Sequence, residues 1–214
     1  IDQAEWARIS ARWLVERLGG RGNIVAINGL AGHPANEDRW AGASQVFAAA
    51  PGIRVLTVTH ANWDQATGQQ VMSNLLATYP TIDGVWVQDG MAEGALRAVL
   101  ASGRPIPVMT GEARVGYLRL WNRLRTERGF TSIGVVNPPG IGASGLRIAV
   151  HLLLGKQLKD GVVGGRWGNT LYVPIPGVVT AENFDQWWAQ YNEYPDSYTL
   201  DGWLTEEQAL AFFK

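Results

Sequence analysis

The chain of 214 residues contains no cysteine. This absence excludes disulfide bonds, thiolate metal ligands and catalysis by a thiol. It does not decide the compartment, because a domain large enough to bury a substantial core can be stable in an oxidising space without disulfides.

Long apolar runs and an excess of one charge are also missing. No run approaches the roughly 20 apolar residues that a membrane-spanning helix needs, so we expect a chain that is not embedded in a membrane. The 18 basic and 19 acidic residues give a formal net charge of −1. Nucleic-acid-binding surfaces are basic, and this balance gives no indication of a nucleic-acid partner.

The usual signatures of cofactor binding and catalysis are missing as well. No phosphate-binding loop follows a strand, which argues against a nucleotide cofactor. Residues 142–145 have the wrong spacing for the nucleophile elbow of a hydrolase. The histidines lack the spacing of metal ligands, although a site built from His33, His60 and Asp64 is an alternative. We therefore predict no cofactor, no metal and no enzyme activity.

Tryptophan, by contrast, is abundant, with ten residues. Broad aromatic faces pack well against the C–H faces of sugar rings, and the indole N–H adds a donor at the edge. For any single tryptophan, packing in the core or on the surface is the alternative. The composition indicates a ligand with an apolar ring face.

Up to residue 136, two patterns of apolar residues alternate along the chain. Short continuous apolar runs predict buried parallel strands, and the segments between them predict amphipathic helices. Each strand with its helix takes roughly 25 to 30 residues, as in a βαβ unit. We predict an α/β fold, an open parallel sheet with helices on both faces. The predicted strands lie near residues 23–28, 53–59, 83–87, 106–110 and 132–136, and the predicted helices near residues 3–18, 37–50, 65–79, 90–102 and 115–124.

After Val136 the pattern changes. An Asn-Pro-Pro-Gly stretch at residues 137–140 breaks the chain. We predict a helix over residues 141–154, then a glycine-rich stretch. A strand near residues 171–173, a helix near residues 181–191 and a short helix from Thr205 complete the prediction. The sequence thus predicts an α/β ligand-binding lobe, residues 1–136, and a second part, residues 137–214.

Polar side chains follow the predicted strands. In open α/β sheets, ligands bind at the carboxyl ends of the strands. Carboxylates and amides there can bond vicinal hydroxyls, an arginine can donate a fork, and a tryptophan can stack on a sugar ring. The candidate ligand-binding residues are Arg39, Trp63, Gln88, Asp89, Glu112 and Asn137.

For some of these residues, the alternative is a structural role without ligand contact. Arg39 could be a solvated residue at the start of a helix, and Trp63 could belong to the core. Asp64 fits the N-cap of the following helix better than a ligand contact. Asp89 could cap its own helix in the same way. We expect Glu112 and Asn137 to face the ligand, because each follows the end of a predicted strand.

Several short motifs together resemble the second lobe of ribose-type periplasmic binding proteins. Residues 88–95, QDGMAEGA, are similar to the Asn-Asp-x-Met-Ala-x-Gly-Ala signature of that family. The other matching segments are residues 22–25 (GNIV), 29–32 (GLAG), 36–42 (NEDRWAG), 63–66 (WDQA) and 82–85 (IDGV). The matches cover roughly residues 20 to 155 and are specific in combination.

The resemblance implies a periplasmic substrate-binding component of an ABC importer for monosaccharides. Its ligand would be a sugar or polyol, and its partner would be the ABC transporter permease. Family members have two α/β lobes, joined by a three-stranded hinge, with the sugar in the cleft. By position, Arg39 would clamp sugar hydroxyls and Trp63 would stack on the ring. The remaining hydrogen bonds would come from Gln88, Glu112 and Asn137.

The chain also departs from the family pattern. Gln88 stands where the family commonly has Asn, and Glu112 where Asp is usual, so the identity of the sugar stays open. The family's amide near Asn137 could equally fall on Val136. The matching segments belong to the family's second lobe, so we expect this chain to correspond to the second lobe plus a crossover segment, without the first lobe. We expect exposed apolar surface on helix 141–154 and near Leu171, and therefore either a fragment or a self-associating protein.

Two other functions share these features. The first is the effector-binding core of a sugar-responsive transcriptional regulator, which would need a helix-turn-helix before this sequence. The second is a sugar-modifying enzyme in which Asp89 and Glu112 form an acid–base pair. Turnover of a sugar that is lost on replacing Glu112 would identify the second.

Overall fold

The computed structural model describes all 214 residues, and helices alternate with strands along most of the chain. This alternation is the one that the apolar periodicity predicts. In chain order the elements are α1 (Gln3–Arg17), β1 (Arg21–Asn28), α2 (Pro34–Ala48), β2 (Gly52–His60), α3 (Gln65–Thr78), β3 (Gly84–Val87), α4 (Ala92–Ala101), β4 (Val108–Met109), α5 (Val115–Arg128), β5 (Gly134–Val135), α6 (Ile141–Leu153), β6 (Val163–Gly164), β7 (Thr170–Leu171), β8 (Val178–Val179), α7 (Phe184–Tyr191) and α8 (Glu206–Leu210).

The central sheet has four parallel strands in the order β2-β1-β3-β4. Successive side chains of a strand point to opposite faces. On β1, Ile24 and Ala26 pack with α1 and α2, whereas Val25 and Ile27 pack with α3 and α4. All four residues are fully buried because helices cover both faces. The predicted α/β fold, with helices on both faces of a parallel sheet, is confirmed.

Three tryptophans are almost fully buried, namely Trp6, Trp86 and Trp121. The Trp86 indole donates to the hydroxyl of Ser10 on α1 over 3.0 Å. The Trp6 indole donates to the backbone carbonyl of Val135 over 3.0 Å. A buried indole N–H needs such an acceptor. For these three residues, packing in the core is the role that the structure shows.

The strand predicted over residues 132–136 differs from the other strands. Only β5 forms there, and it pairs antiparallel with β8. Its link to the edge of the central sheet is a hydrogen bond of 2.8 Å from the Gly111 N–H to the Ile133 carbonyl. Pro138 and Pro139 follow and supply no backbone N–H, so a parallel ladder cannot continue there. The predicted fifth strand is therefore short and turned toward the C-terminal part of the chain.

Residues 137–214 contribute to two separate cores. The part from β8 through α7 to Leu200 packs into the core of the central sheet, through Val179, Phe184, Tyr191 and Leu200. Helix α6 instead packs against α8 in a small cluster of its own, which consists of Ile148, Leu204, Ala209 and Phe213. One part of residues 137–214 thus packs with the central sheet, and the other part forms a separate hydrophobic cluster.

The outer face of α6 is apolar and exposed. Leu146 and Leu153 are 67% and 88% exposed, and Leu154 lies beside them. The predicted exposed apolar surface on this helix is confirmed. None of the helices combines the length and the apolar character that crossing a membrane would require.

Candidate ligand-binding cleft

A cleft of about 440 Å³ opens at the carboxyl-terminal edge of the central sheet. Its walls come from the loops after the strands, from the first turn of α1 and from the segment before Leu200. The fold brings five of the six predicted residues to this cleft, namely Arg39, Trp63, Asp89, Glu112 and Asn137.

Arg39 lies in the wall of the cleft and is only 3% exposed. Its Nη1 donates to Asp89 over 2.5 Å, and its Nε donates to Gln3 over 2.7 Å. The guanidinium also lies 4.1 Å from the centre of the Trp6 ring, a cation–π distance. Arg39 is therefore not a solvated residue at a helix start. Nη2 makes no hydrogen bond to the protein, so a ligand can accept from it.

Asp89 does not cap α4. The N-cap of that helix is Met91, which makes no side-chain hydrogen bond to it. Asp89 instead forms the ion pair with Arg39, and this pair is only partly open to solvent. A carboxylate that binds a guanidinium sets its orientation. The pair thus presents the free edge of Arg39 at the cleft.

Glu112 is buried, and its carboxylate accepts only protein donors. Gln65 donates to it over 2.5 Å and the Glu93 N–H over 3.1 Å, and the Gly90 N–H donates as well. Burial raises the pKa of Glu112 to about 7, although these hydrogen bonds favour the ionised form. Glu112 ties the end of β4 to the first turn of α4, where Met91 provides no cap.

Trp63 lies in a tight turn between β2 and α3. Its backbone φ is +57° and that of Asn62 is +56°, both in the left-handed region. The indole packs on Gly29, where an added Cβ would come within 2.0 Å of the ring. The His33 ring approaches it edge-on at 4.9 Å. The neighbouring Asp64 caps α3 by accepting from the Thr67 N–H, as predicted.

Gln88 is fully buried and does not line the cleft. Its Oε1 accepts from the Trp63 indole over 2.9 Å. Its Nε2 donates to Asn36 over 3.0 Å and to Asn28 over 3.3 Å. The residue therefore sits behind Trp63, and direct contact between Gln88 and a ligand stays a prediction.

A comparison with known protein families gives a match over most of this chain. Residues 1–157 match the family model described as a periplasmic binding protein domain. The chain belongs to the periplasmic binding protein family. The resemblance inferred from the sequence motifs is thereby confirmed. The description of the family indicates a location outside the cytoplasm, and its members bind ligands rather than transform them.

This periplasmic binding protein domain is similar to several curated proteins. It is 33% identical over 174 residues to a xylitol-binding protein of Mycolicibacterium smegmatis, which covers 80% of this chain and 46% of that protein. It is 33% identical over 144 residues to a D-allose-binding periplasmic protein of Escherichia coli, which covers 65% of this chain and 45% of that protein. The chain thus spans about half the length of these relatives.

Solved structures share the fold. A solute-binding protein of Thermobispora bispora superposes with a TM-score of 0.76 at 23% identity, covering 98% of this chain and 60% of that one. A periplasmic solute-binding protein of Actinobacillus succinogenes, solved with bound D-allose, gives a TM-score of 0.70 at 24% identity, covering 87% of this chain and 61% of that one. At these identities the likeness establishes the fold.

The cleft of the periplasmic binding protein domain also contains residues that the sequence did not indicate. Gln3 bridges two predicted residues, since its Oε1 accepts from Arg39 and its Nε2 donates to Asn137 over 3.2 Å. It opens α1 and follows no strand, so the rule of strand ends could not find it. Ser197 and Thr199 reach the cleft from the C-terminal part of the chain.

Arg114 could have been found from the sequence. It lies two residues after Glu112, in the loop that follows β4, and it lines the cleft. The metal site considered from the sequence does not form, because no group of three His, Asp or Glu side chains is placed to hold an ion. His33 instead caps α2, where its Nδ1 accepts from the Ala35 N–H over 3.2 Å.

Proposed function

We propose that this domain binds a monosaccharide or a related polyol reversibly in the cleft. As part of a two-lobed periplasmic protein, it would deliver that ligand to an ABC-type membrane permease. The observation that carries the proposal is the pairing, in one cleft, of the Trp63 indole with the unoccupied donors of Arg39. An aromatic surface beside a charged donor suits a ligand with apolar C–H groups and many hydroxyls.

The polar side chains of the cleft have different roles in this proposal. Arg39 donates to ligand hydroxyls through the group that the protein leaves unbonded, while Asp89 and Gln3 hold its other side. Asn137 lines the cleft and its Oδ1 accepts from Gln3, so we assign its side-chain N–H as the donor to a ligand hydroxyl. Arg39, Trp63 and Asn137 are thus the residues that we assign to direct contact.

The carboxylates favour binding over catalysis. An acid–base pair needs groups that can reach the substrate and exchange protons with it. Asp89 is bonded to Arg39, and Glu112 accepts three hydrogen bonds from the protein. Both carboxylates thus have protein partners that account for their placement, which supports a receptor that leaves its ligand unchanged.

The division of the chain forms part of the same proposal. Residues 1–136 would form one ligand-binding lobe, and residues 137–214 a crossover segment with a C-terminal tail. The exposed apolar face of α6 would then be covered by a first lobe or by a second copy of the chain. The relatives, which are about twice as long as the aligned region, are consistent with a further lobe.

Titration of the chain with xylitol, D-allose and D-ribose tests the proposal. Binding would be followed by tryptophan fluorescence and by calorimetry, for the native chain and for Trp63→Ala. We expect a saturable change with at least one compound that Trp63→Ala abolishes. Trp203→Ala, in an exposed side chain away from the cleft, is the matched control and should leave binding intact.

Two results would contradict the proposal. If none of the compounds binds, this chain alone is not a sugar receptor. If binding survives Trp63→Ala with unchanged affinity, the ligand occupies a different site.

A further inference from the structure

We infer that Gln88 is a positioning residue, which holds the indole of Trp63 at the cleft and does not itself contact the ligand. Its effect on ligand affinity rests on the function proposed above. Its effect on Trp63 does not, because it follows from contacts within the protein.

The first observation is the hydrogen bond between the two side chains. An indole N–H can only donate, and in a buried setting it needs an acceptor. The Oε1 of Gln88 is that acceptor, at 2.9 Å. A shorter asparagine at this position, as is common in the ribose-type family that the sequence resembles, would place its amide one methylene farther from the indole. The extra length of Gln88 therefore has a use that does not involve the ligand.

The second observation is that the amide of Gln88 is held at its other end. Its Nε2 donates to the side-chain oxygens of Asn28 and Asn36, which are themselves 1% exposed. Because the NH₂ group must face these two acceptors, the oxygen must face Trp63. Three elements meet here, since Asn28 ends β1, Asn36 lies in the first turn of α2 and Gln88 follows β3.

The third observation concerns the space around Trp63. Two successive residues in the left-handed region persist only where their surroundings determine the backbone. On one side Gly29 leaves room for the ring, and on another the φ of Gly90 is +81°, with an added Cβ 3.1 Å from the Trp63 carbonyl. The glycines admit the indole, and the hydrogen bond to Gln88 selects its orientation.

The consequence is a binding surface that is ordered before the ligand arrives. Ordering a side chain on binding reduces affinity, and a rotamer that is already fixed avoids this cost. Loss of Gln88 should therefore weaken ligand binding through Trp63, although Gln88 lies outside the cleft.

Hydrogen exchange of the Trp63 indole in the ligand-free full chain tests the inference directly. The indole resonance is assigned in a ¹⁵N–¹H spectrum by its loss in Trp63→Phe. We expect Gln88→Met, which keeps the length but removes the acceptor, to speed exchange by about tenfold. Gln88→Asn keeps an amide and should also speed it, which provides a second variant if Gln88→Met does not fold. Gln70→Met, an exposed amide on α3, is the matched control and should change nothing.

A double-mutant cycle with D-allose, D-ribose or xylitol tests the effect on affinity. Gln88→Met should weaken binding about tenfold when Trp63 is present and hardly at all in Trp63→Phe. An equal loss in both backgrounds would show direct contact between Gln88 and the ligand and would overturn the inference. Unchanged indole exchange in both Gln88 variants would also overturn it. If none of the sugars binds the native chain, the proposed function fails, while the exchange experiment still decides the role of Gln88.

Discussion

Helices α4 and α6 are both rich in apolar residues, yet the protein buries them to very different extents. On α4, Ala95, Leu96 and Val99 are completely buried. On α6, Ile148 is the buried aliphatic residue, while Leu146 and Leu153 face outward. The helices differ in what they pack against. Helix α4 covers the central sheet, whereas α6 follows the short β5 strand, which pairs with β8, and packs only in a small cluster with α8.

The same contrast extends to polar side chains. Around the central sheet, Gln88 and Glu112 are buried and bonded to protein partners. Near α6, His151 is buried while its acidic neighbour Glu206 is 61% exposed. The buried polar groups around the sheet therefore have partners that are buried or partly buried, whereas α6 is covered by the rest of this chain on one face only. Substitutions in the two regions can test this difference.

The largest effect is expected from two tryptophans of equal size. Trp86→Ala removes a fully buried ring between the central sheet and α1 and should cost about 3 to 5 kcal/mol of unfolding free energy. Trp203→Ala removes a ring that is 58% exposed in the C-terminal region and should cost less than about 0.5 kcal/mol. Urea unfolding of both variants measures the difference. Equal losses would show that the C-terminal region is packed as tightly as the central sheet.

A smaller effect is expected from the carboxylate of Glu112. Because burial raises its pKa from 4.5 to about 7, the folded chain binds this proton more tightly than the unfolded chain does between those two values. The contribution of Glu112 to stability therefore falls as the pH rises from about 4.5 to about 7, by at most about 3 kcal/mol.

Unfolding measured across this pH range for the native chain and for Glu112→Gln isolates the effect. The advantage of the native chain over the variant should shrink as the pH rises. Glu207→Gln, an exposed carboxylate in the C-terminal region, is the control, and it should change stability by less than about 0.5 kcal/mol throughout. A difference between the native chain and Glu112→Gln that is independent of pH would rule out the raised pKa.

The smallest effect on stability is expected on α6. Leu146→Glu and Leu153→Glu place charges on the exposed face and should each change the unfolding free energy by less than about 0.5 kcal/mol. If a second copy of the chain covers this face, the same changes should reduce self-association of the concentrated chain, because they make the apolar face polar. Analytical ultracentrifugation measures this, with Leu96→Glu on α4 as the contrasting variant that should unfold the protein. Association that is unaffected by both α6 changes would locate the contact elsewhere.

Much of the central sheet could be predicted because its signals are local. Apolar runs marked the positions of β1, β2 and β3, and Asp64 could be recognised as a cap from its position before α3. The prediction that all of these strands are buried was wrong for β2, which lies at the edge of the sheet and has no fully buried residue. The strand predicted over residues 106–110 is limited to β4, because the prolines at 105 and 107 supply no N–H. The short β5 could not be foreseen, since its pairing with β8 joins segments that are far apart in sequence.

The position of the candidate cleft could be predicted better than the full set of residues that line it. Strand ends identified Arg39, Trp63, Asp89, Glu112 and Asn137, because parallel strands bring their carboxyl ends to one edge. The same rule could not find Gln3, Ser197 or Thr199, which reach the cleft from a helix start and from the C-terminal part of the chain. It also could not tell that Gln88 is fully buried and bonded to Trp63.

The sequence by itself determined the parallel sheet, its two layers of helices and the edge at which polar residues gather, because periodicity and strand ends depend on neighbours along the chain. The tertiary structure alone decided which partner each polar group takes. Gln88 bonds to Trp63 and Glu112 to the first turn of α4 because folding brings side chains from separate elements within hydrogen-bonding distance. It also decided that one face of α6 packs against α8 while the other is exposed in this chain, since burial depends on what the fold places beside a helix.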